Sequence, residues 1–99
     1  MAYFCVTSSK LRECAEELTG QNKRFLADTE TLDSAEAALK GMWEGSANET
    51  FHGAFLRDRG QMDAFHAAIE RYVQALLVIA QKYEEAEAKN TQIASERNY

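Results

Sequence analysis

Proline is absent from all 99 residues and glycine occurs only five times. A chain that never interrupts its backbone hydrogen-bond ladder can sustain long helices, so the first expectation is an all-α fold. No 18-residue apolar run is present, which excludes a membrane-spanning helix. The opening MAYFCVTSSK has neither a basic n-region nor an apolar core, so nothing in it directs the chain to the general secretory route, and any export must use another. Cysteine is limited to Cys5 and Cys14. On one helix their separation amounts to about 900° of rotation, which puts them on opposite faces, disfavours an internal disulfide and leaves both as small buried or half-buried hydrophobes. Positive charge is also short: eleven Lys and Arg face sixteen Asp and Glu, giving a net charge of -5. Such a chain repels a phosphate backbone, which excludes a nucleic-acid partner.

What is there is apolar periodicity. With 45% apolar and 27% charged residues the chain has the composition of one small soluble domain over 1–99. Phe4, Leu11, Leu18, Phe25, Leu32 and Leu39 recur every seven residues. Taken as heptad position a, they have d partners Cys14, Gln21, Asp28, Ala35 and Met42, a seam apolar at its ends and polar at its waist. Thr7 can cap the free N–H groups and Val6 can staple onto Leu11, so helix one is expected over about 8–42, with Ala2 to Val6 extended against it. A second block alternates by four and three: Phe51, Phe55, Asp58, Met62, Phe65, Ile69, Tyr72, Leu76, Ile79, Tyr83, Ala86, Asn90, Ile93. It predicts helix two over about 47–95, with Gly53 and Gly60 off the seam, either permitting close approach or simply tolerated.

Between the blocks, Gly41 and Gly45 bracket the chain's one tryptophan, Trp43. Gly45 can end a helix in the left-handed conformation, while Ser46 and Glu49 have the S-x-x-E spacing of a capping box. A turn at 43–46 makes the two helices antiparallel, a hairpin with arms of roughly 50 Å.

Trp43-Glu44-Gly45 at mid-chain between two heptad-patterned helices resembles the WxG-motif family of about one hundred residues, the ESAT-like substrates of type VII secretion. The resemblance extends over Val6-Thr7-x-x-x-Leu11, over Gly45-x-Ala47-x-x-x-Phe51-x-x-x-Phe55, and over Tyr83-Glu84-Glu85-Ala86-Glu87, where Tyr83 and Glu87 look like the family's C-terminal export motif Tyr-x-x-x-Asp/Glu. What it implies is a secreted protein of a Gram-positive bacterium, made in the cytoplasm, that pairs with itself or a related hairpin as a four-helix bundle. The implied receptor is an FtsK/SpoIIIE-like secretion ATPase, and the chain would act as effector or as carrier for a larger toxin-like partner. The implied turn motif is Trp43 and Gly45; the implied export signal is Tyr83 and Glu87.

Each of these residues also has a plainer reading. Trp43 is a hydrophobic plug over the end of the bundle, and Tyr83 is a heptad core residue. His52 and His66 lie about 21 Å apart along a helix, too far to share an ion, and Glu70 beside His66 adds no third ligand, so no metal is expected. No nucleophile has an identifiable base and no phosphate loop is present, so neither an enzyme, a cofactor nor a small-molecule substrate is expected. Glu13, Glu16 and Glu17, and Glu84, Glu85 and Glu87, read as solvated faces. The run Ala75-Leu76-Leu77-Val78-Ile79-Ala80 covers more of the helix than one seam requires. It places a dimer interface at Phe65, Ile69, Val73, Leu76, Leu77 and Ala80, in preference to a membrane-active helix, whose polar face would be basic. On that reading Leu77→Asp weakens dimerisation and thermal stability together. The alternative function is an intracellular coiled-coil adaptor with the same fold.

Overall fold

The computed structural model describes residues 6–96, with side chains through Gln92. The expectations for Phe4, Cys5 and the extended stretch 2–5, and for the side chain of Ile93, fall outside the described residues. Two helices make up the fold, α1 at Ser8–Met42 and α2 at Ser46–Glu96. α1 starts where extended Thr7 (φ -114°, ψ 157°) accepts the N–H of Lys10 on its hydroxyl at 3.2 Å, and its carbonyl accepts that of Leu11 at 3.1 Å. That hydroxyl satisfies one of the four N–H groups a helix start leaves open.

α1 ends at Trp43, which is extended (φ -122°, ψ 117°). Gly45 then adopts φ 109°, and its carbonyl accepts the N–H groups of Asn48 at 3.1 Å and Glu49 at 3.4 Å. The positive-φ glycine therefore opens the second helix instead of closing the first, and Ser46 is already helical. This corrects the capping box expected at Ser46 and Glu49. With Trp43 extended, the chain must reverse almost at once, and a residue free to take positive φ reverses it while presenting a carbonyl along the new axis.

The two helices run antiparallel in a molecule 83 Å long and 23 Å across. α2 outreaches α1: Glu87 meets Ser8, and residues 88–96 continue past it. Their mutual seam is a heptad of small and polar residues. On α1 it consists of Ser8, Ala15, Asn22 and Thr29, all buried, and on α2 of Val73 and Ala80, continued towards the turn by half-buried His66, Arg59 and His52. The expected a/d seams lie one position aside. Leu18, Phe25, Met62, Ile69 and Leu76 are half-buried at the edge of the contact, whereas Cys14, Gln21, Asp28, Ala35, Met42, Phe51, Asp58, Phe65, Tyr72, Ile79 and Tyr83 are exposed. Cys14 is thus an exposed thiol and not the half-buried hydrophobe expected. Two helices approach closely only where side chains are small, so bulky residues are pushed to the rim of a pairwise contact.

Polar seam residues are bonded locally or across the hairpin. Thr29 donates its hydroxyl to the Leu26 carbonyl at 2.6 Å, and Asn22 Nδ2 donates to the His66 carbonyl at 3.0 Å, leaving Asn22 Oδ1 buried without a partner. Nearer the turn the seam is ionic: Arg59 Nε donates to Asp33 Oδ1 at 2.8 Å, the same guanidinium meets Asp63, and His52 Nδ1 meets Glu36. The Arg59 guanidinium is raised above its ordinary value by its hydrogen bond to Asp33 and then by that to Asp63. His52 and His66 therefore sit in the seam itself, inward of the flank expected for them.

A Cβ built on Gly60 has no heavy atom within 4 Å, and one on Gly53 meets only the tip of Arg57 at 4.0 Å. Neither glycine serves a close approach. Gly60→Ala should raise helix stability by about 1 kcal/mol, whereas Gly45→Ala, equally free of clashes but held at positive φ, should lower it by about 1–2 kcal/mol. Thermal melts of the two variants should move in opposite directions.

Candidate partner face and C-terminal motif

Many of the bulky residues displaced from the seam lie on one side. Leu32 and Leu39 of α1 and Phe51, Phe65, Tyr72 and Ile79 of α2 each keep more than a third of their surface exposed, Phe65 54% and Tyr72 61%. Phe25 and Phe65 tie the helices together on this side, edge to face with centroids 5.3 Å apart. Around them Leu18, Gln21 and Ile69 line one shallow depression and Asp58, Gln61 and Met62 another. The result is an exposed apolar stripe with Gln21, Asp58 and Gln61 set into it.

The expected interface residues divide three ways. Phe65, with Ile69 and Leu76 at its inner edge, lies on the stripe. Val73 and Ala80, 8% and 0% exposed, are covered by α1 of the same chain, which corrects their assignment to a partner. Leu77 turns to the opposite side, where it lines a groove with Ala15, Glu16, Thr19, Gly20, Lys23 and Val73. An apolar run longer than one helical turn points in every direction, so it cannot supply a single face.

Trp43 packs on Phe51 at the turn end, with ring centroids 5.7 Å apart and planes at 47°. It therefore sits at the end of the same stripe, half-buried, with Gly45 beyond it. Tyr83 and Glu87 lie at the opposite, open end, about 55 Å away along α2. The hairpin does not bring its turn motif and its C-terminal motif together. Tyr83 is 41% exposed and so is not the core residue its heptad position suggested. Glu87 is turned towards α1, where its Oε1 accepts the Ser8 N–H at 3.3 Å and its Oε2 accepts the Ser8 hydroxyl at 3.1 Å. Next to it Arg12 grips Glu84 with two bonds, Nε to Oε2 at 3.0 Å and Nη2 to Oε1 at 2.6 Å. The Glu84 carboxyl is held below its ordinary value of 4.5, first by the Arg12 hydrogen bond and, more weakly, by the arginine's charge. Glu84 and Glu87 thus clamp the two helices together instead of forming a merely solvated face.

Among the described residues no group of three or more His, Cys, Asp or Glu is placed to hold a metal ion, and no helix is long and apolar enough to cross a membrane. His66 Nδ1 pairs with Glu70 at 3.2 Å, and His52 lies between Glu36 and the Lys40 ammonium, 3.4 Å from its Nε2.

A helical hairpin with a Trp-x-Gly turn and an uncovered apolar stripe can be compared with known proteins on firm geometry. The family model described as proteins of 100 residues with WXG, WXG100, matches residues 4–88. The chain belongs to the WXG100 family. No curated protein matches significantly. Among solved structures, the secreted protein EsxB from Bacillus anthracis in its selenomethionine form superposes with a TM-score of 0.77 at 22% identity, covering 88% of this chain and 99% of that one. Its wild-type form in another crystal superposes at 0.74 with 23% identity, over 84% and 89%. At these identities the likeness establishes the shared hairpin fold.

Within this WXG100 hairpin, sequence reasoning missed Ser8, Arg12 and Glu84, together with the seam heptad to which Ser8 belongs. A signal was present: Ser8, Ala15, Asn22, Thr29 and Glu36 recur every seven residues, as do His52, Arg59, His66, Val73, Ala80 and Glu87. A search weighted to large apolar residues passes over both.

The Arg12–Glu84 pair yields a prediction about pH. Because the folded carboxyl sits below its ordinary value, its stabilising effect is complete above that value and disappears as the pH falls through the lower, folded one. The melting difference between wild type and Arg12→Ala should be small near neutrality, as for exposed pairs generally, and should close in acid below pH 4.5.

Proposed function

We propose that this protein is a non-enzymatic export substrate of a type VII, ESAT-like secretion system, made in the cytoplasm and secreted without a cleaved signal peptide. In this reading it travels as a dimer of hairpins, with a second copy or a related hairpin protein, and serves as effector or as carrier for a larger toxin-like partner. The observation that carries the reading is the exposed Tyr83 with Glu87 one turn further on, at the open end of a hairpin whose family match spans 4–88. The description of EsxB as a secreted protein of Bacillus anthracis agrees with it.

Energetics support the dimer. The buried apolar side chains among the described residues are Ala15, Val73 and Ala80, and no large side chain is fully buried. Ordering a backbone costs about 1–2 kcal/mol per residue, which so thin a core does not offset. A second hairpin laid antiparallel on the stripe at a crossing of about 20° would bury Phe51, Phe65, Tyr72 and Ile79 in a four-helix core. That arrangement would also set Trp43 and Gly45 of one protomer beside Tyr83 and Glu87 of its partner, a composite end for an FtsK/SpoIIIE-like ATPase to recognise.

Deleting residues 83–99 should leave a folded dimer inside the cell and none in the medium. Equal export of the truncated chain would overturn the export reading, and retention of the full-length protein in the cytoplasm would favour the adaptor. The interface is checked separately by sedimentation. Phe65→Asp, on the stripe, should weaken association by about tenfold or more, while Leu77→Asp, on the far side, should leave the dimer largely intact. The reverse order would place the partner on the opposite face.

A further inference from the structure

Ser8 is the first rung of the α1 seam and Glu87 the last rung of the α2 seam opposite it. The first N–H groups of a helix have no partner within the helix, and its amino end carries partial positive charge. In this chain Thr7 takes the Lys10 N–H, while the Ser8 N–H is taken by a carboxylate from the other arm of the hairpin. The Ser8 hydroxyl binds the second oxygen of that carboxylate, and Ser8 itself is only 8% exposed. Arg12, four residues further along α1, holds Glu84, three residues before Glu87, through two bonds. Each contact joins α1 to the Tyr83–Glu87 segment, and past Glu87 α2 runs on beyond the start of α1. Tyr83, one residue before Glu84 and four before Glu87, takes part in neither clamp and is 41% exposed.

We propose that the start of α1 is part of the export element: Ser8 and Arg12 are positioning residues that act through Glu87 and Glu84. They fasten the end of the paired region of α2 and so fix the helical register in which Tyr83 is presented. This deepens the export reading and rests on it. A signal carried on an untethered helix end would fray, and its tyrosine and carboxylate would share one face only part of the time, because i,i+4 neighbours align only while the helix is formed. The clamps keep that turn formed without covering the tyrosine.

Secretion, scored as the ratio of protein in the medium to protein in the cell, tests this. Ser8→Asp sets a carboxylate against Glu87 and should cut the ratio by about tenfold, the factor that goes with losing a hydrogen bond to a charged group. Ser8→Thr keeps both donors and should export as wild type. Arg12→Glu and Glu84→Arg should each lower export, and the double variant, which restores the pair with its charges exchanged, should recover most of it. Amide hydrogen exchange over residues 83–90 should quicken in the impaired variants and slow again in the double variant, at unchanged sedimentation mass. If Ser8→Asp and Arg12→Glu export normally while Tyr83→Ala does not, the positioning role is overturned and the export signal stands. If Tyr83→Ala also exports normally, the export reading falls and the positioning role with it. Recovery in the double variant reads out the contact even if Ser8→Asp proves poorly folded.

Discussion

Two helices can cover only a narrow strip of each other, and everything else in this molecule follows from how that strip is filled. Close approach demands small side chains, and the strip holds Ser8, Ala15, Asn22 and Thr29 against Val73 and Ala80. Bulky apolar residues are thereby excluded from the centre. The phenylalanines and leucines of both arms end up along its rim, and because the rim on one side is far richer in them, the hairpin becomes two-faced. The apolar stripe is therefore a consequence of the seam and not an independent feature. A sequence that put its leucines in the strip would hold the helices further apart and leave less for a partner to bury.

The strip also changes character along its length. Near the turn it is held by Asp33, Arg59, Glu36 and His52, at mid-length by Asn22 and Thr29, and towards the open end by Ala15, Val73 and Ala80 before closing on the Ser8–Glu87 and Arg12–Glu84 clamps. Ion pairs fix direction and register but contribute little net stability when partly wet, whereas apolar burial is non-directional. Polar contacts at both ends thus set the register, and the small apolar residues between them supply much of the packing within one chain. His52 and His66, which invite a metal reading in isolation, are rungs of this ladder.

Much of the fold was legible because it is encoded locally. The absence of proline, the hydroxyl of Thr7 and a glycine placed two residues after Trp43 are statements about single stretches of backbone, and the structure realises them as two helices around a tight reversal. Periodicity was legible too, but it reports which residues share a face and says nothing about what that face meets. The leucine and phenylalanine series of both helices were read as the seam within the hairpin, whereas they form the stripe beside it. The small-residue heptad that does make the seam carries almost no hydrophobic signal. The misplacement of Val73, Leu77 and Ala80 has the same origin, since a consecutive apolar run has no direction of its own. Ser46 was misassigned for a different reason: Gly45 and Ser46 are both acceptable cap residues, and only the extended conformation of Trp43 decides between them.

The seam also links the two ends of the molecule. Trp43 and Tyr83 lie at opposite ends, so no adjustment within one chain can unite them, whereas a partner hairpin laid antiparallel, as proposed above, would. That partner would bind the stripe, the stripe exists because the seam expels large residues, and the last rung of the same seam is the carboxylate of the C-terminal motif. Folding of the hairpin, exposure of the stripe and fixing of the motif therefore depend on one heptad register. A slip of one residue along α1 would bring a different set of side chains against α2, bury part of the stripe and release Glu87 from Ser8 together. A receptor that reads Tyr83 beside a correctly seated Glu87 at the end of a paired bundle is in effect reading that register. If Tyr83 and Glu87 form an export signal as proposed, this gives a physical reason for placing it on the helix end of a folded hairpin in preference to a flexible tail.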